Sequence, residues 1–264
     1  MWGTDRLYIL FIGDIVGKPG RYAVKSILPT LRRREGYDAV VANAENAAGG
    51  FGLTAPVAAE LFAAGVDLIT LGNHAFTQRN VAELLAGEKR IIRPANYPEG
   101  TQGQGSVIHE CANGKSLGVL NLLGRVFLEP LDDPFRIALR ELRALRETTP
   151  YCLLDFHAEA TSEKIAMAWM VDGLAGAVIG THTHVQTADE RILPGGTGYI
   201  TDVGMTGPTD GVLGVDRELV LRKFRTQMPV KFALAEGPVA LDAVSLVFNT
   251  DGHTVKIERM HLGV

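Results

Sequence analysis

The chain has 264 residues, 46% hydrophobic and 21% charged, with a formal net charge of −4. That length supports one large domain with a substantial core. The charge balance excludes a protein that binds nucleic acid by bulk electrostatics, though a bound metal pair would still let it take a small anionic substrate.

Residues 1–12 lack the long apolar stretch and small-residue cleavage site of a signal peptide, and no run is long enough to span a membrane. A cytoplasmic protein is therefore expected. Leu7-Tyr8-Ile9-Leu10-Phe11-Ile12 reads as a buried strand running into Gly13-Asp14. Residues 21–34 place Tyr22, Val24, Ile27, Leu28 and Leu31 at apolar helical positions, with Pro29 expected to kink or interrupt the helix. Arg32-Arg33-Arg34 reads as its solvated end. Residues 38–42 form a second strand ending at Asn43-Ala44-Glu45-Asn46, and Thr54 is placed to cap a helix over 55–64. Residues 67–71 form a third strand ending at Gly72-Asn73-His74.

Residues 91–123 are β-rich and irregular. Asp133-Pro134 then opens a helix to about Arg146, with Phe135, Ala138, Leu139, Leu142 and Leu145 at helical spacing. A strand over 151–156 ends at His157, a helix follows over 161–171, and a strand over 175–179 ends at Gly180-Thr181-His182-Thr183-His184. Residues 243–248 and 254–260 read as an antiparallel hairpin about Asp251-Gly252. Linkers and repeats are absent, so a single domain over 1–264 is expected, α/β with a mixed sheet.

In parallel sheets ligands bind beyond the carboxyl ends of the strands. Here those ends carry Asp14, Glu45-Asn46, Asn73-His74, His157 and the pair His182 and His184, expected on one edge of one sheet. Singly, each is an ordinary turn or cap residue. A His-x-His pair is also weak evidence alone, although extended backbone would point both rings the same way. Together they make a donor set of carboxylate, amide and imidazole without thiolate, which suits iron, manganese or zinc better than copper or calcium.

So many donors exceed the needs of one tetrahedral ion, so two ions are expected. A pair about 3.5–4 Å apart needs a shared anionic bridge, and Glu45 is the central carboxylate. Such a pair would polarise a phosphoryl oxygen and generate a hydroxide nucleophile near neutral pH. His74, beside Asn73, is the candidate general acid for the leaving group.

Gly13-Asp14, Gly72-Asn73-His74, the strand-end His157 and Gly180-Thr181-His182-Thr183-His184 resemble the calcineurin-like metallophosphoesterase motifs in their order. More narrowly, residues 10–20, Asn43-Ala44-Glu45-Asn46, residues 180–187 and Thr201-Asp202-Val203-Gly204-Met205-Thr206-Gly207-Pro208 are similar to the YmdB family of bacterial metallophosphoesterases. Val16 stands where the wider superfamily has a first-motif histidine, and Glu45-Asn46 where it has an aspartate. Both departures fit the narrower family.

The resemblance implies Asp14, Glu45, Asn46 and His184 on one ion, and Glu45, Asn73, His157 and His182 on the other. It also implies a four-layer α/β/β/α sandwich, phosphodiesterase activity on a small nucleotide substrate such as a 2',3'- or 3',5'-cyclic nucleotide, and a homo-oligomer. A phosphomonoesterase or nucleotidase with the same centre is the alternative. A regulatory, RNA-associated protein with little turnover is a third reading, opposed by His74, since a structural site needs no spare acid.

Other features carry less. Gly13 to Pro19 fails as a P-loop, because three residues separate Gly13 from Gly17 and Pro19 follows Lys18. Gly195-Gly196-Thr197-Gly198 reads as a turn, and Arg125 as a solvated side chain. His109, His253 and His261 read as structural and Cys152, in an apolar run, as a buried inert thiol; a disulfide with Cys111 is not expected, and no zinc spacing is present.

Overall fold

A computed structural model describes residues 6–264, so the start of the segment read as lacking a leader lies outside the described residues. Among them the chain alternates strands and helices in the order β1 (Leu7–Ile12), β2 (Asp14–Ile15), α1 (Gly17–Glu35), β3 (Ala39–Asn43), α2 (Ala55–Ala63), β4 (Leu68–Thr70), α3 (Val81–Gly87) and β5 (Ile91–Ile92). The second half runs β6 (Ser106–Glu110), β7 (Ser116–Leu123), α4 (Pro134–Arg146), β8 (Cys152–His157), α5 (Thr161–Met170), β9 (Ala177–Thr181), β10 (Arg191–Ile192) and β11 (Gly198–Ile200). It closes with β12 (Met205–Pro208), α6 (Arg217–Thr226), β13 (Val239–Phe248) and β14 (Thr254–Gly263).

These strands make two mixed sheets. In the first, β1, β3, β4 and β5 are parallel neighbours, β13 and β14 join antiparallel beside β1, and β12 links β13 to β2. In the second, β7, β8, β9 and β11 are parallel, with β6 and β10 antiparallel at its edges.

Alternation of side chains along each strand sorts them into three apolar interfaces. Leu10 and Ile12 of β1 with Val40 and Ala42 of β3 face Val24, Leu28 and Leu31 of α1. The intervening Leu7, Ile9 and Phe11, with Ala39 and Val41, meet Val119, Leu153 and Ile179 of the second sheet. The far face of that sheet, through Cys152, Leu154 and Phe156, packs on Ile137 and Leu142 of α4 and Met167 of α5. The result is a four-layer α/β/β/α sandwich whose strands are apolar on both faces because both faces are covered.

Several boundaries differ from expectation. Helix α1 starts at Gly17, not residue 21, and runs through Pro29 as one helix. Burial of Ala23, Val24, Leu28 and Leu31 holds it together there, whereas Tyr22 is exposed. Arg32 is not a free solvated charge: its Nη1 donates to Gly65 O (2.7 Å) and pairs with Asp67. Thr54 occupies the N-cap of α2 without a side-chain capping bond, while Asp133 caps α4 by accepting from Phe135 N–H (2.9 Å). The glycine-rich segment at 195–198 is the turn between β10 and β11. No helix among the described residues is long and apolar enough to cross a membrane.

Candidate metal centre

The chemistry-bearing residues do not share one sheet edge, as the chain order suggested. Asp14 opens β2, while Glu45-Asn46 and Asn73-His74 lie in the turns after β3 and β4, all on the first sheet. His157 is the last residue of β8, and His182 and His184 follow β9, on the second sheet. The two sets meet because the sheets stack face to face with these strand ends at one side of the sandwich.

Glu45 lies between the sets. Its Oε1 is 3.1 Å from His157 Nε2 and 3.4 Å from Asn46 Nδ2, and its Oε2 accepts from the His74 backbone N–H (2.8 Å). On one side, the Asn46 amide is 3.2 Å from His184 Nε2, which is 3.9 Å from Asp14 Oδ1. On the other, His157 Nε2 is 3.0 Å from both Asn73 Oδ1 and His182 Nδ1. The structure thus brings all seven expected donors together, with His74 at their margin, its Nε2 3.4 Å from Asn73 Nδ2.

Proton bookkeeping around His157 tests whether this set fits cations. Thr181 Oγ1 donates its single hydrogen to Asp155 Oδ1 (2.7 Å), so it accepts from the Nδ1–H of His157 (2.9 Å). Without a metal, Glu45, Asp14 and Asp155 hold a second proton on the ring, and its Nε2 faces the acceptors Glu45 Oε1 and Asn73 Oδ1; a cation would take the place of that proton among them. Asp14 is wholly buried and its Oδ1 has no hydrogen-bond partner. A buried carboxylate oxygen without a donor, beside a cluster of further acceptors, matches a cation site, and the ligating atoms of Glu45, His157 and His182 all lie within 4.8 Å of one another.

The electrostatics show the same shortage of positive charge. Burial opposes ionisation of Glu45, yet the charge and hydrogen bond of His157 outweigh it and take the carboxyl down to about 2. Burial likewise opposes a charged His157, and Glu45, Asp14 and Asp155 outweigh it, raising the ring to about 9. His182 is pushed down to about 3, by burial first and then by His157. Burial raises Asp14.

The His-x-His pair reaches the site by another route than extended backbone. Strand β9 stops at Thr181, and both histidines adopt positive φ, 96° for His182 and 65° for His184. Asp202 holds that bend by accepting from Thr183 N–H (3.0 Å) and Thr183 Oγ1–H (2.6 Å). Asp202 is in turn paired at 2.7 Å with Lys164 of α5, both fully buried. Unfavourable backbone of this kind persists only where surrounding contacts dictate it. His184 Nδ1 adds a contact to Leu213 O (3.3 Å).

Supporting residues escaped the sequence reading. Asn43 bridges the sheets, its Nδ2 3.3 Å from Asp155 Oδ2, while its Oδ1 accepts from Glu45 N–H (3.1 Å). Glu159 places Oε2 3.0 Å from His182 Nε2. Asn43 and Thr181 lie inside the quoted motifs, but Asp155, Glu159 and Lys164 carried no local signal. Of the residues set aside in the sequence, His261 is exposed with its Nδ1 2.6 Å from Asp242 Oδ1, and both cysteines are free and buried.

Known proteins resemble this chain over nearly its whole length. It is 52% identical over 255 residues to the 2',3'-cyclic-nucleotide 2'-phosphodiesterase of Bacillus subtilis (strain 168), covering 96% of each chain. A crystal structure of a hypothetical protein from Thermus thermophilus superposes with a TM-score of 0.92 at 46% identity, covering 97% of this chain and 99% of that one. That of a novel phosphatase from Mycoplasma pneumoniae gives 0.91 at 34% identity, covering 98% and 94%. The YmdB-like protein family model matches residues 10–260, and the chain belongs to that family.

Proposed function

We propose that this protein is a metal-dependent phosphodiesterase acting on cyclic nucleotides. The carrying observation is the convergence of Asp14, Glu45, Asn46, Asn73, His157, His182 and His184, whose buried acceptors outnumber their donors. Asp14, Asn46 and His184 would hold one ion and Asn73, His157 and His182 the other, with Glu45 between them. Iron or manganese suits this oxygen- and nitrogen-rich set, with zinc the third choice. When bound, such a pair supplies Lewis-acid activation of the phosphoryl group and of the attacking water.

The protein's own groups do the rest. The Asp155–Thr181–His157 chain fixes the His157 tautomer, and Asp202 fixes the bend that carries His182 and His184. His74, held beside Asn73, delivers a proton to the departing alkoxide. A cavity of about 350 Å³ opens onto Glu45, His74, His182 and His184. No lysine or arginine is among the described residues lining it, so beyond the metals only the histidines there would offset the second charge of a monoester. That favours a diester over a phosphomonoester. The activity named for the Bacillus relative supports the same class. Two free thiols suit a reducing compartment, which supports a cytoplasmic location.

The test is a panel of 2',3'- and 3',5'-cyclic nucleotides and the matching monoesters, run with the manganese- and iron-loaded protein. Diester turnover well above monoester turnover is expected. The reverse order would make the protein a monoesterase.

A further inference from the structure

The cavity beside the metal centre has two chemically different ends. Its floor is the polar set just described. Beside it the lining turns apolar, with Phe51, Leu213, Phe232 and Leu234. Phe51 is 53% exposed and Phe232 47%, so two large aromatic residues border the cavity with about half their surface in water. Isolated exposed rings are ordinary, but two opening on one cavity are a surface for a flat apolar group.

Both walls are fastened to the centre. Phe51 meets the His74 ring edge-on at 5.1 Å, and its carbonyl accepts from Gln78 Nε2–H (2.6 Å). Leu213 contacts His184 through its carbonyl oxygen. The strand of chain bearing Phe232 is pinned on its far side, where Asp216 N–H donates to Ala233 O (2.9 Å) and Ala235 N–H to Gly214 O (3.0 Å). The polar side chains Glu159 and Thr183 that line the cavity belong to the histidine side, through Glu159–His182 and Thr183–Asp202.

We propose that Phe51 and Phe232 form a nucleobase platform, against which the base of the cyclic nucleotide rests. This rests on the phosphodiesterase reading above. Because the apolar wall offers faces and no side-chain code for base edges, the platform accepts all four bases. Without a lysine or arginine among the described residues of the lining, it favours a nucleotide bearing no phosphate besides the cyclic diester. Stacking of a base on an aromatic side chain is worth about 5- to 150-fold in affinity and is tolerant of base identity.

The experiment compares kcat/KM for 2',3'-cyclic AMP with that for base-free ribose 2',3'-cyclic phosphate, in the metal-loaded wild type and in Phe232→Ala and Phe51→Ala. Wild type should prefer the nucleotide, and Phe232→Ala should cut that preference about tenfold, mainly through KM. Phe51→Ala should cut it too, with an added kcat loss through the displaced His74. The four 2',3'-cyclic nucleotides should agree within about thirtyfold in wild type.

Equal rates on nucleotide and base-free substrate, an unchanged preference in Phe232→Ala, or a larger spread among bases would overturn the platform and leave phosphodiester hydrolysis standing. No turnover of either substrate by wild type would instead overturn the phosphodiesterase reading, and the platform with it.

Discussion

His157 shows how much one side chain depends on its neighbours. Its Nδ1–H is committed to Thr181, and Thr181 to Asp155, so Nε2 is left to face the centre. Burial raises Asp155 to about 6, against the pull of His157 and the hydroxyls of Thr70 and Thr181. Thr181→Val keeps the shape and removes the relay. Loss of such a partner typically costs about 10–100-fold in metal affinity, and titration of the apo-protein with Mn²⁺ should show a weakening of about that size. A metal affinity equal to wild type would mean that Thr181 is only packing. His74→Ala should lower kcat on a cyclic nucleotide by about 10²–10⁴-fold. It should lower turnover of a nitrophenyl diester far less, because that leaving group needs no proton. An equal loss on both substrates would place His74 elsewhere in the mechanism. Burial lifts the thiols of Cys111 and Cys152 to about 12 and about 11. At about pH 8 both should react with a disulfide reagent at least about a hundredfold more slowly in the folded protein than in denaturant. Rapid labelling of the native protein would contradict their burial.

At the scale of elements, the turns matter more than the strands. Gly72 sits where a Cβ would overlap the His157 ring and Glu45 Oε2. Gly72→Ala should therefore cost about 1–3 kcal/mol in chemical denaturation and also lose metal, a pairing that plain core overpacking would not give. Lys164 and Asp202 anchor the turn after β9 from α5. Removing one partner of a buried pair costs about 3–5 kcal/mol, so Lys164→Ala should lower unfolding free energy by that amount in urea titration. A change below about 1 kcal/mol, the scale of an exposed pair, would show that water reaches the two groups.

These elements also show what the chain made legible. The edges of β1 and α4 were readable because apolar periodicity and an Asp-Pro start are local signals. The start of α1 was not, because Gly17 to Gly20 read as a loop until its packing on the sheet is seen. The strands β2, β10, β11 and β12 are too short for periodicity, and α6 buries only Val220. The proposed donors stand out in the sequence by their place after strands. The bend of the His-x-His pair was not, since Asp202 and Lys164 impose it from 18 and 20 residues away from His184.

At the scale of the molecule, the site exists because two sheets stack. Each supplies part of the donor set: Asp14, Glu45, Asn46 and Asn73 from the first, His157, His182 and His184 from the second. The central apolar interface, with Phe11, Val41, Leu153 and Ile179 at zero exposure, fixes the distance between those parts. Metal binding should in turn hold the sheets together, so chelation should lower the unfolding midpoint by an amount that grows with the metal concentration it removes. On the proposed reading, both sheets contribute ligands to one two-ion centre that hydrolyses phosphodiesters. Elemental analysis of Asp14→Ala and His182→Ala, one from each sheet, tests it most directly when read beside turnover of 2',3'-cyclic AMP. Wild type should hold two ions per chain, each variant should lose at least one, and both should lose turnover. Two ions per chain retained in both variants would contradict the account.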